Sequence, residues 1–320
     1  MKVKLMLEIG IACLLLSGTL AGCRYTAASL YQGPEKQVSD SRGRTVPVPV
    51  HPERIVSIGV STDDILIPVV GTERIAAISG LPPNLPKESK KIKGRVTDSP
   101  ESVIACSPDL VIVPDWKSAD YTDEIRAVGI PVFEYHTPSD AEGMIRLIDL
   151  LGDVVNEKQK AKALADRTSD RLKKLDDFVS AIPEHQRKTA VLYTVNGLSG
   201  GQGSSFESLC RRAGLEDGAA SWGIAAAAGG NREAMVNINP DIIFLPSDDY
   251  TQDQKGNADE KRKEILEDPS YQGIKAVRNQ AIYIVDAKWI MSYSEFMVSA
   301  METMAKDAYG YKVPQEASLY

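Results

Sequence analysis

PESVIACSPDLVIVP (residues 100–114) and REAMVNINPDIIFLP (residues 232–246) align without a gap at an offset of 132 residues. Glu101 falls on Glu233, Pro108 on Pro240, Asp109 on Asp241 and Pro114 on Pro246. In each copy a short helix opens with a glutamate and a Pro-Asp pair turns the chain. An unbroken apolar run then follows, as expected of a strand covered on both faces. Self-similarity over such a distance marks two lobes built to one plan.

Outward from this pair, other short apolar runs alternate with helical patterns: RIVSIG (54–59), IPVFEY (130–135), TAVLYTV (189–195) and AIYIVD (281–286). Such alternation predicts an α/β fold of βα units with mostly parallel sheets. Capping boxes mark two helix starts, Ser139 with Glu142 and Ser204 with Glu207, and Gly214 closes the second helix. From 139 to 182 there is no proline, and Ile145, Ile148, Leu151, Val155, Leu164, Leu172, Leu175 and Val179 recur at helical spacing. The pattern predicts a single long helix of about forty residues, about 60 Å at 1.5 Å per residue. It would bend near Gly152, end before Pro183 and bridge the lobes.

The chain has 320 residues, 43% of them hydrophobic and 25% charged, which is ordinary globular composition and excludes collagen-like, disordered and disulfide-scaffold classes. A net charge of -7 lacks the basic footprint that phosphate backbones require, so nucleic acid is not an expected partner. Lys2 and Lys4 precede an apolar stretch, Ile9 to Leu20, and then small residues, which is the layout of a secretory signal. The apolar run is too short for a membrane span of about 20 residues. Leu20-Ala21-Gly22-Cys23 resembles the lipobox of bacterial lipoproteins, in which cleavage precedes a lipidated cysteine. The expected organisation is a signal peptide (1–22), a lipidated tether (23–36), an N-terminal lobe (37–138), the bridging helix (139–182) and a C-terminal lobe (183–320). Cys106 and Cys210 would remain as thiols acting as small hydrophobes.

Over nearly the whole mature chain the sequence resembles the substrate-binding lipoproteins of ABC importers that capture ferric siderophores, haem or cobalamin. The resemblance rests on DSRGRTVPVPVHPERIVSI (40–58), both Pro-Asp strand units, GSSFESLCRRAGLEDGAA (203–220) and YQGIKAVRNQAIYIVD (271–286), in that order and spacing. It implies a ligand cleft between two lobes joined by one long helix, and a monomer that hands a bulky iron complex or corrinoid to an ABC permease and its ATPase. It implies no catalysis, no covalent cofactor besides lipid at Cys23, and no resident metal. It further implies that Glu101 and Glu233, one on each lobe, dock into cationic pockets of the permease. Without that role, each glutamate would still favour its helix dipole.

Three motifs point elsewhere. Residues 198–202 spell LSGGQ, the signature of transporter ATPases, but the chain has no Gly-Lys dipeptide and so no phosphate-cradling loop. Gly197 to Gly201 spell G-x-S-x-G, which would make Ser199 a hydrolase nucleophile, yet His51, His136 and His185 all precede it, against the chain order that fold needs. The glycines are expected instead to let the backbone turn tightly and approach a ligand. A divalent-metal binding protein would need ligand spacing that these three histidines lack.

The aromatic residues, only 6% of the chain, indicate where a ligand would lie. Trp116, Trp222 and Trp289 all fall in predicted loops, and the loops beyond strand C-termini form the binding crevice of an α/β sheet. Tyr121 and Tyr293 are expected to add hydroxyl contacts. Lys117 and Lys288 adjoin two of the tryptophans and suit an anionic ligand. His136 ends IPVFEYH and is a candidate contact or haem-iron ligand; otherwise it serves a local hydrogen bond.

Overall fold

The computed structural model describes residues 31–79, 87–226, 228–247 and 258–314. The signal peptide and Cys23 lie outside the described residues. Glu35 and Lys36, expected in the tether, belong to strand β1 (Glu35–Ser39), which pairs antiparallel with β2 (Thr45–Pro49).

The N-terminal lobe then runs β3 (Ile55–Ser57), α1 (Val60–Val70), β4 (Ile75–Ser79), β5 (Gly94–Val96), α2 (Pro100–Ile104), β6 (Leu110–Pro114), α3 (Ala119–Ala127), β7 (Val132–Tyr135) and α4 (Ala141–Val154). Its sheet is parallel in the order β5-β4-β3-β6-β7. Every residue of β3, β6 and β7 is buried, as helices on both faces demand.

Helix α5 (Lys158–Val179) leads into the C-terminal lobe: β8 (Thr189–Thr194), β9 (Gly197–Ser199), α6 (Ser205–Arg212), β10 (Glu216–Asp217), α7 (Gly218–Ser221), α8 (Arg232–Ile238), β11 (Ile242–Pro246), α9 (Ala258–Glu267), α10 (Lys275–Arg278), β12 (Ile282–Val285), α11 (Ala287–Met291) and α12 (Glu295–Tyr309). The second sheet is parallel in the order β10-β8-β11-β12, with β9 antiparallel on β8.

The sequence repeat is a repeat in space. Ser107 and Asn239, equivalent positions directly before the two prolines, both take the left-handed φ of 48°. The two following aspartates then do the same work. Asp109 accepts from the backbone N–H groups of Glu53 and Arg54 at 2.7 and 3.0 Å, at the entry to β3. Asp241 accepts from Thr189 N at 3.0 Å, at the entry to β8. Each aspartate thus ties its own strand to the neighbouring one.

The bridge departs from expectation. The 139–182 segment is not a single helix but two, α4 and α5, packed against each other. Asn156 takes φ 59° and closes α4 in a Schellman motif: Glu157 N donates to Gly152 O at 2.8 Å and Asn156 N to Asp153 O at 3.3 Å. Gly152 marks the contact between the helices rather than a bend, since a Cβ there would lie 2.1 Å from the Ala161 Cβ. Only α5, about 33 Å long at 1.5 Å per residue, crosses between lobes. It buries Ala161, Leu164, Ala165, Thr168, Leu172, Leu175 and Val179 along one face. One helix start is also shifted: α4 is capped by Asp140, which accepts from Gly143 N, instead of Ser139. Ser204 caps α6 as expected.

One hydrophobic cluster runs through both lobes and takes in α4, α5 and α12, while each lobe keeps a smaller cluster of its own. Shared packing of this kind restricts lobe movement, because close-packed cores do not deform continuously.

Candidate ligand cleft

The C-terminal strand ends of the two sheets meet at the lobe junction. Helix α1, which follows β3, touches α11, which follows β12: Lys288 Nζ lies 2.7 Å from Asp64 Oδ1, Ser292 Oγ donates to Asp64 Oδ2 at 2.8 Å, and Tyr293 N donates to Ser61 Oγ at 2.9 Å. Beyond strands and helices of both lobes the chain leaves large apolar side chains in solvent. Trp116 follows β6 and is 61% exposed, Met291 ends α11 at 56%, and Val195 follows β8 at 37%. Trp222, at the end of α7, is 54% exposed. The segments after β4 and β11, residues 80–86 and 248–257, lie outside the described residues.

The N-lobe side is organised by Asp115. Its carboxylate accepts from Thr137 N at 3.1 Å and Thr137 Oγ1 at 2.8 Å, and lies 2.9 Å from His136 Nδ1. Burial raises the acid's pKa, but the bonds from His136 and Thr137 outweigh it and hold the carboxyl below its ordinary range. His136 stays exposed at the end of β7 with one ring nitrogen engaged. Next to it, the Lys117 ammonium pairs with Asp98 and sits 5.1 Å from the Trp116 ring centroid and 4.8 Å from that of Tyr121.

The expected site residues divide into two groups. Trp116, Trp222 and His136 are open to solvent. Tyr121 is not: its side chain is buried beneath Lys117, its hydroxyl has no hydrogen-bond partner among the described residues, and burial followed by the charge of Asp98 pushes its pKa up to about 12. Trp289 and Tyr293 are half-buried against the shared core. Lys288 is buried in its pair with Asp64, with its ammonium 4.0 Å from the Phe296 ring centroid, and so is not free to meet an anionic ligand. Sequence reasoning missed Met291 and Val195, which carry no motif. It also missed Asp64, whose signal was a charge inside the apolar run of α1.

The G-x-S-x-G stretch has no nucleophile-elbow geometry. Ser199 lies in β9, opposite Leu192 of β8, in a hairpin and not on a strand-to-helix turn. Its glycines serve a close backbone approach to the protein itself: Gly201 has φ 97°, and a Cβ there would fall 2.3 Å from Ile224 O. Gln202 N donates to the same oxygen at 2.7 Å, which fixes the loop carrying Trp222. Among the described residues no three His, Cys, Asp or Glu side chains gather as metal ligands. Cys106 and Cys210 are free thiols.

Glu101 and Glu233 both lie in the first turns of short helices, α2 and α8, and both are exposed. Ser99 Oγ donates to the Glu101 carboxylate and, with the helix backbone, lowers its pKa.

Residues 55–289 match the model of the family described as periplasmic binding protein. The chain belongs to that family. This periplasmic binding protein is 22% identical over 321 residues to an ABC transporter substrate-binding lipoprotein, YvrC, of Bacillus subtilis, covering 93% of this chain and 95% of the relative. It is 20% identical over 211 residues to a cobalamin-binding protein of Halobacterium salinarum, covering 64% of this chain and 56% of that one. Its fold matches that of the periplasmic haem-binding protein RhuT of Roseiflexus sp. RS-1, with a TM-score of 0.69 at 18% identity over 80% of this chain and 98% of RhuT. The two-lobed α/β architecture is thus the family's own.

Proposed function

We propose that this family member is an extracytoplasmic solute-binding lipoprotein, anchored through Cys23, that binds a bulky iron complex or corrinoid between its lobes as a monomer. It delivers that ligand to an ABC permease through Glu101 and Glu233 and carries out no chemistry of its own. One observation carries the ligand class: Trp116, Trp222, Met291 and Val195 leave apolar surface in solvent after strands or helices of two lobes that touch at α1 and α11. Flat aromatic faces suit a macrocycle or an aryl-bearing chelate, and strand C-terminal crevices are where such sheets bind ligands. Relatives named for haem and cobalamin support the same class.

The test is a tryptophan-fluorescence titration of the purified chain with haemin, cyanocobalamin and ferric siderophores. Saturable quenching by one of these is expected, and a flat response to all of them removes the proposed ligand class. A serine-reactive fluorophosphonate probe is expected to leave the protein unlabelled. The Cys23→Ser variant is expected to leave the membrane fraction or to accumulate uncleaved; an unchanged, processed, membrane-bound product would remove the anchor.

A further inference from the structure

Asp64 lies in the N-terminal lobe, yet its side-chain partners all come from one stretch of the other lobe. Lys288 Nζ lies 2.7 Å from Oδ1, while Ser292 Oγ and Ser294 Oγ donate to Oδ2 at 2.8 and 3.1 Å. Both charged side chains are nearly or wholly sealed from solvent. Beside them, Tyr293 N donates to Ser61 Oγ. The stretch 288–294 is therefore bonded to α1 at Lys288, Ser292, Tyr293 and Ser294, and it is the stretch that carries Trp289, Met291 and Tyr293.

We infer that Asp64 is a positioning residue of the cleft, clamping the 288–294 segment to the N-terminal lobe so that α1 sets the place of the wall formed by Trp289, Met291 and Tyr293. This rests on the ligand site proposed above. A buried ion pair adds little net stability over apolar packing, because desolvation offsets its attraction. What an ion pair and two hydroxyl donors converging on one carboxylate do provide is a single geometry, since every departure strands a buried charge. A second inter-element pair offers a comparison. Arg171 Nη2 lies 2.6 Å from Glu302 Oε2 and donates to Ser299 Oγ at 2.9 Å, joining α5 to α12 without holding any of the exposed side chains of the cleft.

The test uses Asp64→Asn/Lys288→Met, which removes the ion pair, and Ser292→Ala, which removes one hydroxyl donor to the carboxylate, spares the ion pair and the Ser294 cap of α12, and is the milder variant should the first not fold. Arg171→Met/Glu302→Gln serves as the control for a loss of stability alone. In the apo protein, amide exchange over 287–294 is expected to accelerate in both clamp variants. The emission of Trp289, isolated in a Trp116→Phe/Trp222→Phe background, is expected to shift to the red. Haemin or cyanocobalamin affinity should fall by roughly tenfold or more, the scale of one lost polar contact to a charged group. The control is expected to keep both the affinity and the emission. Unchanged exchange and emission in the clamp variants would overturn the inference, and so would affinity lost equally in the control. A wild-type protein that binds neither probe would remove the ligand site, while exchange and emission would still decide the clamp.

Discussion

Trp116 and Trp289 looked alike as loop tryptophans, but their burial separates them. Trp116 is mostly in solvent and holds no core together, so Trp116→Ala should weaken ligand binding by about 1 to 3 kcal/mol, the scale of burying a large apolar side chain, with the melting temperature unchanged. Trp289 packs against the shared core, so Trp289→Ala should lower both affinity and melting temperature. Calorimetric titration beside thermal unfolding separates the two effects, and an unaltered affinity in Trp116→Ala would move the site. Tyr121 presents the opposite case. Its buried hydroxyl lacks a partner among the described residues, and such a group costs about 1 to 3 kcal/mol of desolvation. Tyr121→Phe should therefore leave the protein as stable or more so in urea unfolding, with affinity intact. A loss of affinity would show that the hydroxyl reaches the ligand.

At the scale of elements, the α4–α5 pair turns a usual preference around. Alanine is a better helix former than glycine by about 1 kcal/mol, yet a Cβ on residue 152 would lie 2.1 Å from the Ala161 Cβ. The clash cannot relax through a flexible side chain, so Gly152→Ala should destabilise by about 1 to 3 kcal/mol, read from denaturant midpoints. Helix α12 begins with a second anomaly. Burial, then the nearby charge of Asp64, pushes Glu295 up to about 7, against the pull of its helix backbone, Lys288 and Arg171. A carboxyl whose folded pKa lies above its unfolded one binds its proton more tightly when folded. Its contribution to stability is full below the unfolded value, near 4.3, and is lost as pH rises through about 7. Glu295→Gln should remove that dependence, so its melting temperature relative to wild type should rise between pH 5 and pH 8. A difference that stays constant across this range would place the carboxyl's titration elsewhere.

For the whole molecule, the role proposed for the paired glutamates is one in delivery and not in capture. Both are exposed on first turns of equivalent helices, one per lobe, where two carboxylates can meet two cationic pockets of a permease. Glu101→Ala and Glu233→Ala should each reduce ligand uptake in cells while affinity of the purified protein stays at wild-type level. Reduced affinity in vitro would count against separate sites for docking and binding. Since the lobes share a core through α4, α5 and α12, ligand binding should move them only slightly, as close packing favours discrete arrangements over continuous bending.

The repeat around Pro108 and Pro240, the buried parallel strands and the apolar stripe of α5 were legible in the sequence because they rest on local periodicity and on turn residues close together in the chain. The equivalent placement of Glu101 and Glu233 in the first turns of two helices was legible for the same reason. The division of the bridge was not: Asn156 reads as an ordinary helical residue until Gly152 and Ala161 are seen to pack, and only that contact shows α4 turning back. The cleft divides along the same line. Aromatic residues after strands pointed to the proposed region, but nothing local distinguishes exposed Trp116 from buried Tyr121, or a Lys117 paired with exposed Asp98 from a Lys288 sealed against Asp64 more than two hundred residues earlier. Burial and ion pairing are decided by which lobe lies opposite, and that opposition exists only once the chain has folded.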